Sequence, residues 1–107
     1  MAGNLKRLAF LEQHTSSGDA DTFAWYGLAM EYRACERWDQ ALKTFEKLRV
    51  DQADYVAQYL MCGQMLAGLN RKDDAKEWLD AGVEIATQVS NEHALGELRD
   101  ALEQLDD

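Results

Sequence analysis

Arg37-Trp38-Asp39-Gln40-Ala41 recurs 34 positions later as Arg71-Lys72-Asp73-Asp74-Ala75, and larger side chains match at the same offset on both sides. Trp25 falls opposite Tyr59, Leu28 opposite Cys62, Ala29 opposite Gly63, Tyr32 opposite Leu66 and Phe45 opposite Leu79. Each pair keeps its size class or its apolar character. A supersecondary unit repeated at a fixed period cannot bury its apolar face alone, so successive units stack to share one core. The period therefore restricts the chain to a stacked-repeat architecture before any single residue suggests a chemistry.

The local signals are helical throughout. The chain has no proline, and its seven glycines stand mostly near turns or at points of close approach. Asn4 suits the start of a first helix running to about His14, and Thr15-Ser16-Ser17-Gly18-Asp19 supplies turn residues and a fresh cap. A second helix from about Asp21 to Cys35 sets Ala24, Trp25, Leu28, Ala29 and Tyr32 on one face at the i, i+3, i+4 spacing. A third starts near Asp39 and aligns Ala41, Leu42, Phe45 and Leu48, with the Asp39 carboxylate accepting from unpaired N–H groups. The next pair runs from about Asp54 to Gly68, where the glycine takes a left-handed turn, and from about Asp73 to Thr87. A last helix, Asn91 to Leu105, carries one apolar stripe of Ala94, Leu95, Leu98, Ala101, Leu102 and Leu105. Its other faces are charged, which suits a terminal cap, and the first helix, with Leu5, Leu8, Ala9 and Leu11 or Glu12 at its turns, serves the same purpose at the other end.

At 107 residues, 47% apolar and 29% charged, the chain can fold as one domain and bury roughly 65% of its unfolded surface. The formal net charge of −9 and scattered basic residues oppose binding to nucleic acid or to anionic membranes. Cys35 and Cys62 have neither metal-ligand spacing nor the density of a disulfide scaffold, so both are read as free thiols, with Cys62 a small core hydrophobe. The longest nearly apolar stretch, Phe23 to Met30, is far short of the ~20 residues that span a bilayer, and no signal core is visible. A cytoplasmic location is expected. No phosphate loop, nucleophile elbow, HExxH pair or calcium loop occurs, and His14 and His93 each stand alone, so neither catalysis, cofactor nor metal is expected.

The 34-residue spacing of aromatic, small and aromatic positions, followed by Ala and a Phe-like residue, resembles the tetratricopeptide (TPR) repeat, W-x2-L-G-x2-Y, later A-x3-F, then P. The resemblance implies an all-α fold, a short right-handed superhelix (α-solenoid) of antiparallel helix pairs with about six helices. It divides the chain into an N-terminal flanking helix (1–18), repeat 1 (22–55), repeat 2 (56–89) and a C-terminal capping helix (90–107). Ala29, Gly63, Ala41 and Ala75 fall where paired helices approach closely, and Trp25, Tyr32 and Phe45 fill the adjoining space. Two departures from the family pattern stand out: Ala53 and Thr87 occupy the places of the closing prolines, and repeat 2 has Leu66, Leu79 and Gly82 where an aromatic, an aromatic and a small residue are commoner.

In that family the first helix of each repeat lines a concave groove. The corresponding residues here are Phe23, Tyr26, Met30 and Arg33 in repeat 1, and Ala57, Leu60, Met61 and Gln64 in repeat 2. Chaperone-adaptor members hold a terminal carboxylate with Lys, Asn and Arg at these places; Tyr26, Met30 and Met61 lack that chemistry, so such tails are not expected as partners. The resemblance implies a protein-interaction module, adaptor or assembly factor, that binds an apolar or amphipathic peptide segment without catalysis. Two alternatives remain: a structural module whose apolar surface closes a homodimer, and a non-catalytic subunit regulating an enzyme complex.

Overall fold

The computed structural model describes residues 3–18 and 20–106; Asp19, read above as part of the first turn, lies outside the described residues. Among the described residues there are six α-helices and no strand. They are α1 (Leu5–Ser16), α2 (Thr22–Ala34), α3 (Trp38–Asp51), α4 (Ala57–Gly68), α5 (Lys72–Gln88) and α6 (Glu92–Leu105). The chain divides between Gln52 and Ala53 into two compact units, the first holding α1 to α3 and the second α4 to α6.

Three of the six helix starts use side-chain caps. Asn4 accepts from the Arg7 N–H at 3.0 Å, Asp21 from Ala24 at 2.9 Å and Asn91 from Ala94 at 3.0 Å, each satisfying an orphan donor of the first turn. The starts expected at Asp39, Asp54 and Asp73 are corrected. α3 and α5 begin one residue earlier, after Arg37 and Arg71, which make no side-chain cap bond. Asp39 and Asp73 lie inside the first turns, where their charge still interacts favourably with the positive end of the helix dipole. α4 begins at Ala57, and the Tyr59 hydroxyl donates back to the Ala53 carbonyl. That bond closes the turn at the place where the family pattern has proline.

The helix ends share one device. Glu36, Asn70 and Ser90 are left-handed, with φ of 61°, 61° and 57°. After each, the next N–H reaches back over the last turn: Arg37 to the Tyr32 carbonyl, Arg71 to Leu66 and Asn91 to Ala86, all at 2.9 Å. This is the Schellman arrangement, which normally favours glycine at the left-handed position. The expected role of Gly68 is thus corrected: it is the last helical residue of α4, and Asn70 makes the turn. Glu36 and Asn70 are 34 residues apart, so the turn geometry repeats with the sequence period although the residue type does not.

In the first unit α2 packs against both α1 and α3. Ala29, Ala41 and Phe45 are fully buried, Leu28, Tyr32 and Leu48 nearly so, and the Lys47 ammonium lies 4.8 Å above the Trp25 ring. α1 contributes less than its apolar residues suggest. Only Leu8 and Thr15 are buried; Leu5 is 66% exposed and Ala9 also faces water, contrary to the stripe read from the sequence. Polar contacts hold it instead: the Tyr32 hydroxyl donates to Glu12 at 2.6 Å, and the Asn4 N–H donates to Glu31 at 2.7 Å.

In the second unit each of the three helices packs against the other two. Tyr59, Cys62, Leu66, Ala75, Leu79 and Leu98 form its centre, all at most 2% exposed. Gly63 is buried where α4 meets α5, and a Cβ there would fall 2.7 Å from Leu79 Cγ. A Cβ on Gly82 would fall 2.6 Å from Tyr59 Cβ and 2.8 Å from Leu98 Cδ2, so these glycines set how closely the helices approach.

Candidate functional site

In the first unit an apolar cleft of about 430 Å³ lies between α1 and α2. Helical periodicity builds both walls: Arg7, Phe10, Leu11 and His14 recur at three- and four-residue spacing on α1, as do Phe23, Tyr26 and Met30 on α2. Gly27 lies beneath, where Leu11 approaches without crowding; an added Cβ would meet Leu11 Cδ2 at 3.7 Å. The rim is aromatic. Phe10 is 67% exposed and Phe23 73%, and the His14 ring stacks on Phe10 with centroids 6.0 Å apart and planes 9° from parallel.

Two carboxylates, a guanidinium and an imidazole line the cleft. Asp21 is engaged as the cap of α2, and Glu31 is buried, accepting from the Asn4 N–H, with Arg7 Nε at 3.9 Å. The Arg7 side chain remains 70% exposed, and His14 is exposed beside it on the same wall. The cleft is therefore apolar at its floor, and its own carboxylates have partners inside the chain while the Arg7 guanidinium and the His14 ring face water.

The structure distributes the sequence-predicted residues over separate places. Phe23, Tyr26 and Met30 meet in the α1/α2 cleft, but Arg33 does not line it. Ala57, Leu60 and Met61 line a smaller cleft of about 230 Å³ in the second unit, facing His93, Ala94, Glu97 and Leu98 of α6. Leu60 is mostly core there, 9% exposed. Gln64 is exposed and borders a third cleft with Lys72, Leu79, Ala101 and Leu105. Sequence reasoning missed the α1 wall altogether. Its signal was present: Phe10 and His14 stand one turn apart, off the stripe that contains Leu8.

Among the described residues no group of three His, Cys, Asp or Glu side chains is arranged to hold a metal. No helix is long and apolar enough to cross a membrane. Cys62 is fully buried, as read, and Cys35 is half-buried.

The helix pairs and their spacing recur in solved structures. A crystal structure of a tetratricopeptide repeat domain protein from Salinibacter ruber is 34% identical, covers 80% of this chain and 97% of its own, and superposes with a TM-score of 0.74. The chain belongs to the tetratricopeptide repeat family. A solution structure of a tetratricopeptide repeat domain protein from the same organism agrees, at 34% identity, 79% and 86% coverage and a TM-score of 0.75. A Bordetella parapertussis protein shares the fold at 20% identity, with 92% and 86% coverage and a TM-score of 0.81. No family model and no curated protein matches this sequence. Membership places this TPR chain among helical repeats that serve as protein-interaction modules, and it explains why the 34-residue offset survives in the turns as well as in the core.

Proposed function

We propose that this TPR chain binds an apolar or amphipathic segment of another protein in the α1/α2 cleft, with Phe23, Tyr26 and Met30 as its α2 wall. The observation that carries this reading is the exposure of Phe10 and Phe23 on opposite walls of one apolar cleft, since water contact of large aromatic surface is unfavourable and a partner relieves it. A terminal carboxylate buried at the floor would meet Tyr26, Met30 and Leu11 rather than Lys or Asn, an exchange that costs its hydration without compensation.

The test is Tyr26→Ala combined with Met30→Ala. Both side chains are only half-buried, so helical circular dichroism should be retained. Capture of a partner from native extract should weaken by roughly thirtyfold, the consequence of about 2 kcal/mol lost at an interface anchor. Retained capture by the folded double variant rules the cleft out. A parent that sediments as a dimer, with a monomeric variant that keeps its other partners, transfers the surface to self-association.

A further inference from the structure

The 34-residue period relates the two units helix by helix. Shifted by two periods, Ala75, Leu79 and Gly82 of α5 correspond to Arg7, Leu11 and His14 of α1. Asn91, Ala94 and Leu98 of α6 correspond to Phe23, Tyr26 and Met30 of α2. In the second unit members of both groups face α4. Leu79 and Gly82 meet Gly63 and Tyr59, while Asn91, Ala94 and Leu98 stand across from Ala57, Leu60 and Met61. In the first unit the six corresponding residues line the open cleft, and every one of them is at least half-exposed or partly in contact with water. The surface that α4 covers in one unit is thus the surface left accessible in the other.

The shape of the cleft follows from that correspondence, and so does the kind of occupant. α4 is a 12-residue helix joined to α5 by a tight turn, hence antiparallel to it. A helix lying in the same relation to α1 and α2 would bury Phe10, Tyr26 and Met30 along one apolar stripe, and would need a small residue toward Leu11, as Gly63 is toward Leu79. Charge separates the two seats. Where α5 presents the Ala75 methyl group, α1 presents the Arg7 guanidinium, largely in water, with His14 in place of Gly82. α4 carries no acidic residue between Ala57 and Gly68, so a second copy of α4 does not match this wall, whereas a helix bearing a carboxylate there would pair with it. We propose that the α1/α2 cleft is a seat for an amphipathic α-helix of another protein, lying against α1 and α2 as α4 lies against α5 and α6, with a carboxylate set against Arg7. This rests on the reading of the cleft as the interaction site and adds the form and charge of the ligand.

A fusion tests it with the full chain. A second copy of residues 53–71 is placed directly before Asn4, the register in which 72 follows 71 in the natural sequence. In the second unit Gly63 faces Leu79 and Tyr59 faces Gly82, and one further antiparallel turn brings Ala67 to the level of Ala75, hence of Arg7. Ala67→Glu in the grafted copy therefore supplies the carboxylate. Seating should slow amide exchange along α1 and the cleft face of α2 by about tenfold or more and raise the thermal midpoint. Gly63→Leu in the graft raises helix propensity yet places a bulky group against Leu11, so it should abolish that protection. Ala67→Lys should protect less than Ala67→Glu.

Unchanged exchange in the fusion, or equal protection by the Gly63→Leu graft, overturns the helix seat. Equal protection by Ala67→Lys overturns the carboxylate. Failure of the underlying reading has a different signature. A protected fusion that still captures the parent's partner leaves the seat standing and removes the cleft as that partner's site. An unprotected fusion, with capture lost in the Tyr26 and Met30 double variant, does the reverse.

Discussion

In the second unit α4, α5 and α6 close on one another, and Leu98 reaches full burial against Gly82; in the first, α1 and α3 each pack on α2, and the face of α1 bearing Phe10 stays in water. The charge follows the same division. Residues 1–52 hold seven Lys/Arg against eight Asp/Glu, while residues 53–107 hold four against twelve. The two units share a period, turn geometry and small-residue contacts, yet one has spent its apolar surface on itself and surrounded it with acid. The other keeps apolar surface available in a nearly neutral setting, where a partner helix meets little net charge. The difference teaches that a repeat's inner face stays accessible when no neighbouring helix of the repeat covers it.

The largest expected effect probes the closed unit. Leu98→Ala removes a fully buried side chain that touches the Gly82 position and should destabilise by about 3 kcal/mol or more. Amide exchange should show the loss first in α4 to α6. A loss confined to α6, with α4 and α5 unaffected, would break the picture of three mutually dependent helices.

Ala41→Leu and Ala75→Leu test what the units have in common. Both alanines are fully buried at equivalent positions, and overpacking at each should cost roughly 1–3 kcal/mol in urea unfolding. A neutral outcome at either position would mean that the two helix pairs are not packed alike.

Alkaline pH should separate the units. Burial, then the hydrogen bond to Glu12, raises the Tyr32 hydroxyl from its ordinary value of 10.0 to about 12. Because the folded pKa lies above the unfolded one, the neutral hydroxyl favours the folded state fully below about pH 10, and this contribution disappears as pH rises towards 12. Loss of stability on the order of 2 kcal/mol should appear in α1 and α2 over that window. Tyr32→Phe should remove the step; a step that persists in the variant would belong to another tyrosine.

The smallest effect sharpens the comparison at the turns. Glu36→Gly in the first unit should stabilise by about 1 kcal/mol, since a left-handed glutamate carries steric strain that glycine lacks. Asn70→Gly should gain much less, because asparagine tolerates that conformation. Equal gains from the two would show that the left-handed strain does not depend on residue type here.

The core was legible because it rests on short-range periodicity. Ala29, Ala41, Phe45, Gly63, Ala75 and Leu79 are buried where the 34-residue offset puts them, and Asn4 caps α1 as its side chain suggests, whereas the cap of α2 is Asp21 rather than a residue of the preceding turn. Helix ends were less legible. With no glycine at residues 36, 70 or 90, the backbone was forced left-handed there by the three-residue turns, and Gly68 misdirected the reading. The acidic starts at Asp39 and Asp73 were displaced for a related reason: a carboxylate near a helix N-terminus is favourable at several positions of the first turn, so composition locates the end only to within a residue or two.

By itself the sequence determined that this protein is a helical repeat, which small and large residues make the contacts shared by its two repeats, and that its net charge is acidic, because these depend on spacing along the chain and on summed charge. The tertiary structure alone decided which apolar residues remain accessible. Leu60 and Tyr26 occupy equivalent positions 34 residues apart, yet one is core and the other lines an open cleft. Exposure is a property of what lies opposite, and α6 lies opposite Leu60 while only the narrow wall of α1 faces Tyr26.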